Sequence, residues 1–525
     1  MIRQGGNIMK YRLGIDVGGT NTDAVILDEN HQVVAKCKRP TSEDISTGIN
    51  QAVETVLKES AVAPSAIQHA MLGTTHATNA IVERKGLAKV GVLRLGAPCG
   101  LALPPMMDWP EDMPDYIGNH HKMVKGGFEY DGKLISEPDA VEIETALQEL
   151  KGVGVEALAI SCVWSPVNNE HEMMAAEIAK KVFGDSVSIS ISSEVGTLSI
   201  LERENATILN AAILKIAENA YGAFQDTLIA HGVTADLFIT QNDGTLMSID
   251  YARKYPVFTI ASGPTNSLRG AAFLTGLSDC IVVDVGGTTT DVGVLKGGFP
   301  RESTLAVEIG GIRTNFRMPD LISIGLGGGS LVQSKDGAVT VGPESVGYRI
   351  SGEALVFGGS TLTATDVAVV SGKFSLGEPQ NVSAIEKDII DQADTRIKEM
   401  VEATIDRMKT SAGDMPVVLV GGGSIIVPKT LVGASEVVVP DNFDVANAIG
   451  AAISQVSGSI DGVFDVATKG RDTVIGEVKE AAKKEAIKAG ARQDSLEVVD
   501  IEEIPLAYLP SNAVRFRVKA VGELI

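Results

Sequence analysis

Short apolar runs and amphipathic stripes alternate along this chain. Leu13 to Val17 and Ala24 to Leu27 are apolar runs either side of a polar turn, which predicts a β-hairpin over residues 9–37. Thr47 to Ser60 carries Ile49, Val53, Val56 and Leu57 on one face, so a helix is expected. His69 to Gly73 predicts a short strand, and Gly73 to Gly86 a polar turn that opens a helix. Val90–Leu95, Ala157–Trp164 and Val187–Ser192 read as strands, and Pro138–Leu150 and Asn169–Phe183 as helices. Residues 97–136 show no period and are rich in Pro, Met and Gly; a long loop of this kind in a compact domain is more often functional than not. Ser199–His231 is a long helical region placed to connect two lobes. Leu237–Thr240 predicts a strand and Ile281–Leu295 a second hairpin. Ile322–Ser330 and Val417–Ser424 are strands running into glycine turns, and Glu386–Lys409 and Val445–Val456 are helices. Residues 461–525 predict a charged helix and two short strands. Strands and helices mix throughout, so the class is α/β.

The two hairpins repeat each other. One reads Leu13-Gly-Ile-Asp-Val-Gly-Gly-Thr-Asn-Thr-Asp23, the other Ile281-Val-Val-Asp-Val-Gly-Gly-Thr-Thr-Thr-Asp291. Glycines let backbone approach a ligand closely, and N–H groups with Thr hydroxyls can cradle phosphate oxygens. Gly18, Gly19, Thr20, Asn21 and Thr22 are therefore candidate phosphate contacts in the first copy, and Gly286, Gly287, Thr288, Thr289 and Thr290 in the second. Asp16 and Asp284 sit at strand ends, where a carboxylate can hold a metal's waters. Asp23 and Asp291 either support the hairpins or face the ligand. A duplicated phosphate hairpin suggests two related lobes clamping one nucleotide.

Bulk properties narrow the choice. A chain of 525 residues is too long for one core and implies two to four domains. A net charge of −22 argues against a nucleic-acid or anionic-membrane surface, but not against ATP, since local N–H groups bind phosphate in acidic proteins. Cys37, Cys99, Cys162 and Cys280 are scattered without a CxxC, a pattern expected of reduced thiols in a cytoplasmic protein. No apolar stretch reaches membrane-span length and no signal peptide is evident. Met1 to Ile8 is expected as an unstructured tail, with Met9 an alternative start.

The order of the pieces is a phosphate hairpin, a second phosphate hairpin, a strand into Gly421-Gly-Gly423, and Ala448-Ile-Gly-Ala-Ala452 on a helix. That order resembles the superfamily of actin, hexokinase and the heat-shock chaperone ATPases. The resemblance implies two duplicated ribonuclease-H-like, actin-like ATPase lobes with insertions and a small α+β C-terminal module. The division expected is 1–8 tail, 9–200 first lobe, 201–460 second lobe and 461–525 module. It also implies that Gly421, Gly422 and Gly423 lie against the adenosine, and that the helix carrying Ala448 and Gly450 packs closely on a counterpart between the lobes.

A narrower resemblance runs over residues 11–456. Gly73-Thr-Thr-His-Ala-Thr-Asn-Ala80 with Glu83-Arg-Lys-Gly86, Glu202-Arg-Glu-Asn-Ala-Thr-Ile-Leu-Asn210, Thr240-Gln-Asn-Asp-Gly244, Ala261-Ser-Gly-Pro264 and Ile324-Gly-Leu-Gly-Gly-Gly-Ser330 resemble the hydantoinase/oxoprolinase family, in its A-type form. The chain departs from that pattern at Asn266 and Ser267, where Gly-Gly is expected, and lacks the Gly-Pro-x-Ser-Ala-Gly-x-x-Pro-Gly-Pro stretch of the longer members: Gly342-Pro-Glu-Ser-Val-Gly347 continues into Tyr348-Arg-Ile-Ser-Gly352. The resemblance implies ATP with Mg²⁺ at Asp16 and Asp284, a small cyclic amide such as a hydantoin or 5-oxoproline as substrate, and a second partner chain, B-type or unrelated. The chain is also expected to form a homo-oligomer. Gly327 and Gly328 join the expected cofactor contacts, and Asp16, Asp284 and the loop residue His76 the expected catalytic set. His120 with His121 is a weaker metal candidate; Arg84 and Arg203 read as solvated ion pairs or substrate-carboxylate contacts. Two other functions compete: a small-molecule kinase of the same fold, because Asp16–Thr22 also resembles the phosphate loop of glucokinase-like sugar kinases, and an ATP-driven reactivase of another enzyme.

Overall fold

The computed structural model describes residues 9–41, 45–303, 307–316, 318–335, 337–506 and 513–525; the tail expected at residues 1–8 lies outside them. The first hairpin is β1 (Tyr11–Val17) and β2 (Asn21–Leu27), and a third strand, β3 (Val33–Pro40), extends the predicted two. β4 (Ile67–Thr74) pairs in parallel with β1. The chain then leaves this sheet. β5 (Val90–Ala97), β6 (His120–Lys125), β7 (Ala157–Cys162) and β8 (Ser188–Ile191) form a separate parallel sheet in the order β6-β5-β7-β8. Helices Ala140–Gly152 and Glu170–Phe183 close its core around Leu93, Leu147, Ile160 and Ala175. β6 falls inside the stretch expected as irregular, because His120 to Lys125 lacks the apolar period of a buried strand.

Helix Ile200–Ala230, 31 residues long, returns the chain to the first sheet, where β9 (Asp236–Thr240) pairs in parallel with β4 and β10 (Leu246–Ser248) antiparallel with β9. After helix Ser262–Thr275 the second sheet begins with β11 (Cys280–Val285), β12 (Thr290–Lys296) and β13 (Phe299–Pro300). β14 (Val307–Ile309) and β15 (Ile312–Thr314) form a small hairpin; β16 (Leu321–Ile324) pairs with β12. A hairpin of β17 (Ser330–Lys335) and β18 (Ala338–Ser345) precedes helix Lys387–Met408. β19 (Met415–Val420) and β20 (Ala434–Val438) then join in parallel beside β11.

The duplication seen in the sequence holds in the topology. The first sheet runs β3-β2-β1-β4-β9 and the second β13-β12-β11-β19-β20, in each case an antiparallel hairpin followed by two parallel strands. This α/β arrangement is consistent with two related lobes.

The sheets do not follow the expected boundaries at 200/201 and 460/461. β21 (Val456–Asp465), β22 (Glu497–Pro505) and β23 (Ala513–Gly522) extend the first sheet to nine strands, in the order β22-β23-β21-β10-β9-β4-β1-β2-β3. The C-terminal segment thus forms part of that sheet; its strands are long but mixed in polarity, because helix Arg471–Lys488 covers one face of β21 and β23 through Val474, Val478 and Ala482. Among the described residues, no helix is long and apolar enough to cross a membrane.

Candidate active site

Both hairpins close on the same turn. The Gly18 N–H donates to Asn21 O at 3.0 Å, and the Gly286 N–H to Thr289 O at 2.9 Å. The carboxylates fall in matching registers, Asp16 opposite Asp23 and Asp284 opposite Asp291. The two turns meet: a Cβ placed on Gly287 would lie 2.8 Å from the Thr20 methyl. Gly19, Thr288 and Thr289 are exposed, Gly18, Thr20, Asn21, Gly286 and Gly287 half-buried.

Four of the predicted phosphate contacts have their polar groups spent inside the protein. Thr22 is fully buried with its hydroxyl 3.3 Å from that of Thr41. Thr290 is fully buried and donates to Leu326 O at 2.6 Å. Each ends its hairpin one register beyond the aspartates, Thr22 opposite Val17 and Thr290 opposite Val285. The Gly327 N–H donates to Ser330 Oγ and the Gly328 N–H to Gly286 O, so that glycine turn backs the second hairpin.

The other glycine turn is built against the same hairpin. Gly421 has φ 82°, and a Cβ there would lie 2.3 Å from Asp284 Oδ1, so only glycine fits. Gly423 packs on Gly286 O, while Gly422 is exposed at the turn's rim, its nearest side chain being Lys38.

Burial dominates the electrostatics. Asp16 is pushed up to about 7 by desolvation, then by the charges of Asp23 and Asp284, against hydrogen bonds from Asn266 and Asn447. Asp291 rises to about 6 through burial and then Asp284. Burial also raises Asp23 and Asp284; Lys38 opposes the rise at Asp23, and Ser267 and Lys38 oppose it at Asp284. Lys38 Nζ lies 2.6 Å from both Asp23 oxygens. Four coupled carboxylates against this ammonium leave a surplus of negative charge that a divalent cation would relieve. Among the described residues no three His, Cys, Asp or Glu side chains gather to hold a bare ion.

His76 opens helix His76–Glu83 at the end of β4, with Nδ1 2.7 Å from Thr74 Oγ1; burial lowers its proton affinity. The Ala261–Pro264 motif packs on the same loop, the Ala261 N–H donating to Thr78 Oγ1. His120 and His121 lie on β6, outside the sheets that carry the hairpins. Arg84 forms the expected surface ion pair, Nε donating to Asp112 Oδ2 at 3.2 Å, and also donates to Ile81 O and Gly310 O. Arg203 is not solvated as expected: it is buried and donates to Ser192 Oγ, Thr197 O and Cys162 O.

Helix Ser262–Thr275 crosses helix Ala446–Ile453 at two glycines. A Cβ on Gly270 would lie 1.9 Å from Ala446 O, and one on Gly450 1.9 Å from Asn266 O. Sequence reasoning missed Lys38, Asn266 and Asn447 as site residues. The signal for Lys38 was the alternation in β3, which sets Lys36 and Lys38 opposite buried Ala35 and Cys37.

The fold is shared with solved enzymes. The crystal structure of ATP-dependent caprolactamase from Pseudomonas jessenii matches with a TM-score of 0.78 at 21% identity, covering 98% of this chain and 88% of that one. Nucleotide-free acetone carboxylase matches with a TM-score of 0.71 at 18% identity, over 98% and 88%. The chain belongs to the hydantoinase/oxoprolinase family: residues 12–183 match its N-terminal region and residues 203–378 the hydantoinase/oxoprolinase domain. Curated relatives include the acetophenone carboxylase gamma subunit of Aromatoleum aromaticum, 27% identical over 69% of this chain and 53% of that protein. The alpha subunit of caprolactamase from Pseudomonas jessenii is 27% identical over 70% and 55%. The chain thus spans little more than half the length of these relatives.

Proposed function

We propose that this chain is the ATP-using component of an enzyme that activates the carbonyl of a small cyclic amide, such as a hydantoin or 5-oxoproline-like lactam, for hydrolysis. The observation that carries the reading is the meeting of two equivalent turns, Gly18–Asn21 and Gly286–Thr289, each backed by an aspartate whose proton affinity burial raises. The named activities of the caprolactamase and 5-oxoprolinase relatives support the amide class. A lactam carbonyl is a poor electrophile. Its oxygen would attack the γ-phosphorus of ATP and ADP would leave. Water would then add at carbon, with loss of phosphate and opening of the C–N bond. Such a transfer needs positioning and charge neutralisation more than a strong base.

The chain's own groups supply the positioning. Gly18, Gly19, Thr20, Thr288 and Thr289 orient phosphate oxygens, and Gly421 and Gly422 bound the nucleoside. Asp16 and Asp284 would hold Mg²⁺ through its waters, and that ion would neutralise phosphate charge. His76, whose proton affinity burial lowers, would serve as a neutral donor to the carbonyl. Relatives are named as gamma, alpha and beta subunits, so this reading includes a second chain that completes the reaction.

The carboxylase relatives favour a second reading, in which phosphorylation activates a ketone for attack on a carboxyl donor. Phosphate release from Mg·ATP, measured with hydantoins, 5-oxoproline and other lactams, and separately with ketones plus bicarbonate, divides the two. Stimulation by a lactam with ring-opened product supports the first; bicarbonate-dependent stimulation by a ketone replaces it with the second. Turnover indifferent to every compound points to a missing partner chain or the reactivase role. Failure to bind nucleotide at all would sink both enzymatic readings.

A further inference from the structure

Asp16 is held from two directions. Asn447 Nδ2 donates to its Oδ2 at 2.9 Å, and Asn266 Nδ2 to its Oδ1 at 3.3 Å. We infer that these two amides, one per carboxylate oxygen, are positioning residues that fix the orientation of Asp16 and so set how tightly a hydrated divalent cation is retained with the nucleotide. The inference rests on the nucleotide reading above.

The two amides come from different lobes. Helix Ser262–Thr275 packs through Leu268 and Ala271 on Cys280, Val282 and Leu295 of the second sheet. Helix Ala446–Ile453 packs through Ala448, Ile449 and Ala452 on Val25 and Leu27 of the first. The Gly270 and Gly450 crossings seat backbone directly on backbone, so the amides are placed by main-chain contact rather than by adjustable side chains. The next residue, Ser267, opposes the rise in proton affinity at Asp284, so consecutive residues of one helical turn address both aspartates.

Two further observations separate this from ordinary core packing. Asn266 is fully buried and its Oδ1 has no hydrogen-bond partner. An orphaned buried acceptor carries the full desolvation cost of its carbonyl, so the residue is a poor choice for filling space. Its donor end is used twice, on Asp16 and on Thr240 Oγ1 at 3.1 Å. In addition, Gly73 clears the room for the contact: a Cβ there would lie 2.3 Å from Asp16 Oδ1 and 2.4 Å from Asn266 Nδ2. A carboxylate that meets a cation through water depends on its plane being fixed. With one donor gone it is free to rotate, as when outer-shell partners of metal ligands are removed.

The test uses the whole chain with ATP and Mn²⁺ as the probe. Free Mn²⁺ is followed by electron paramagnetic resonance while the protein–ATP complex is titrated, and metal-free affinity is measured with a fluorescent ATP analogue in EDTA. Asn447→Ala, Asn447→Leu and Asn266→Ala should each weaken Mn²⁺ retention about 10-fold or more, with metal-free nucleotide affinity within about 2-fold of wild type. Asn447→Leu keeps the approximate shape and charge and removes the donor to Asp16. If Asn266→Ala does not fold, Gly73→Ala strikes the same contact from the other side. Wild-type Mn²⁺ retention in folded Asn447 variants would overturn the inference, as would an equal loss of metal-free nucleotide affinity. A wild-type chain that binds no nucleotide would instead remove the reading on which it rests.

Discussion

Replacing Lys38 with methionine removes the ammonium that lies 2.6 Å from both oxygens of Asp23 and leaves the carboxylate in place. The Asp23 side chain is 2% exposed and that of Lys38 28%. Removing one partner of a buried pair is unfavourable by about 3–5 kcal/mol, and solvent access at the lysine end puts this pair near 3. The effect depends on pH in a definite direction. Burial raises the proton affinity of Asp23 and Lys38 opposes it, so losing Lys38 raises it further. A carboxylate with a folded pKa above its unfolded value of about 3.9 contributes stability that is complete below that value and lost as pH rises through the folded pKa. The variant should therefore lose less stability at pH 5 than at pH 8, where the loss reaches about 3 kcal/mol. Urea denaturation in EDTA, followed by the fluorescence of Trp109 and Trp164, measures both. The double change Lys38→Met with Asp23→Asn should recover most of the loss at pH 8. An equal loss at both pH values, or no recovery, would refute the buried-charge argument.

Asp284→Ala should lower ATP turnover by about 100-fold or more while thermal unfolding stays near wild type, because it removes a desolvated carboxylate; retained turnover would unseat the hairpin assignment. His76→Ala should change kcat or KM for the ring substrate without altering ATP binding, and since burial keeps the wild-type imidazole neutral at pH 7, kcat/KM should not fall between pH 7 and 9. Gly450→Ala forces a methyl to within 1.9 Å of Asn266 O and should destabilise by about 3 kcal/mol or more, read by urea denaturation. Thr290→Val should lower stability by about 1 kcal/mol, by stripping the donor from Leu326 O, whereas Thr288→Ala, on the exposed side of the same turn, should raise KM for ATP.

The parts of this fold legible in the sequence are those held by local chemistry. A Gly-Gly turn between apolar runs admits few alternatives to a hairpin, and both copies formed the same turn. The close helix crossing was expected from the resemblance in the order of motifs, and Gly450 with its small neighbours permits it, since only small residues let backbones meet. Sheet order was not readable. β4 finds β9 across a whole inserted sheet, and β10 meets β21 through a single register, Leu246 to Val456, with the second lobe between them in sequence. The two strands expected in residues 461–525 form as β22 and β23, but mixed polarity hid β21 and the length of all three, because one face of the sheet carries ion pairs such as Arg515–Asp461 and Arg517–Glu502. The site was legible as turns and aspartates but not as partners. Asn266 and Ser267 stood out only as departures from an expected Gly-Gly, and their contacts to Asp16 and Asp284 depend on a helix crossing that no spacing encodes. The inward turn of Thr22 and Thr290 was not legible: both were expected as phosphate contacts, because hydroxyls in a row of polar residues look alike while the strands that begin around them are buried.

The nine-stranded sheet also has a consequence for synthesis. About two hundred residues separate β10 from β21, so at ~5–20 residues per second a ribosome needs roughly 10–40 s to deliver the strand that covers that flank. Throughout that interval β10 presents an unpaired edge, the kind of surface that templates aggregation. Expression trials that truncate the chain before β21 would make this transient exposure permanent, and their insolubility would report on an open edge rather than on the catalytic lobes.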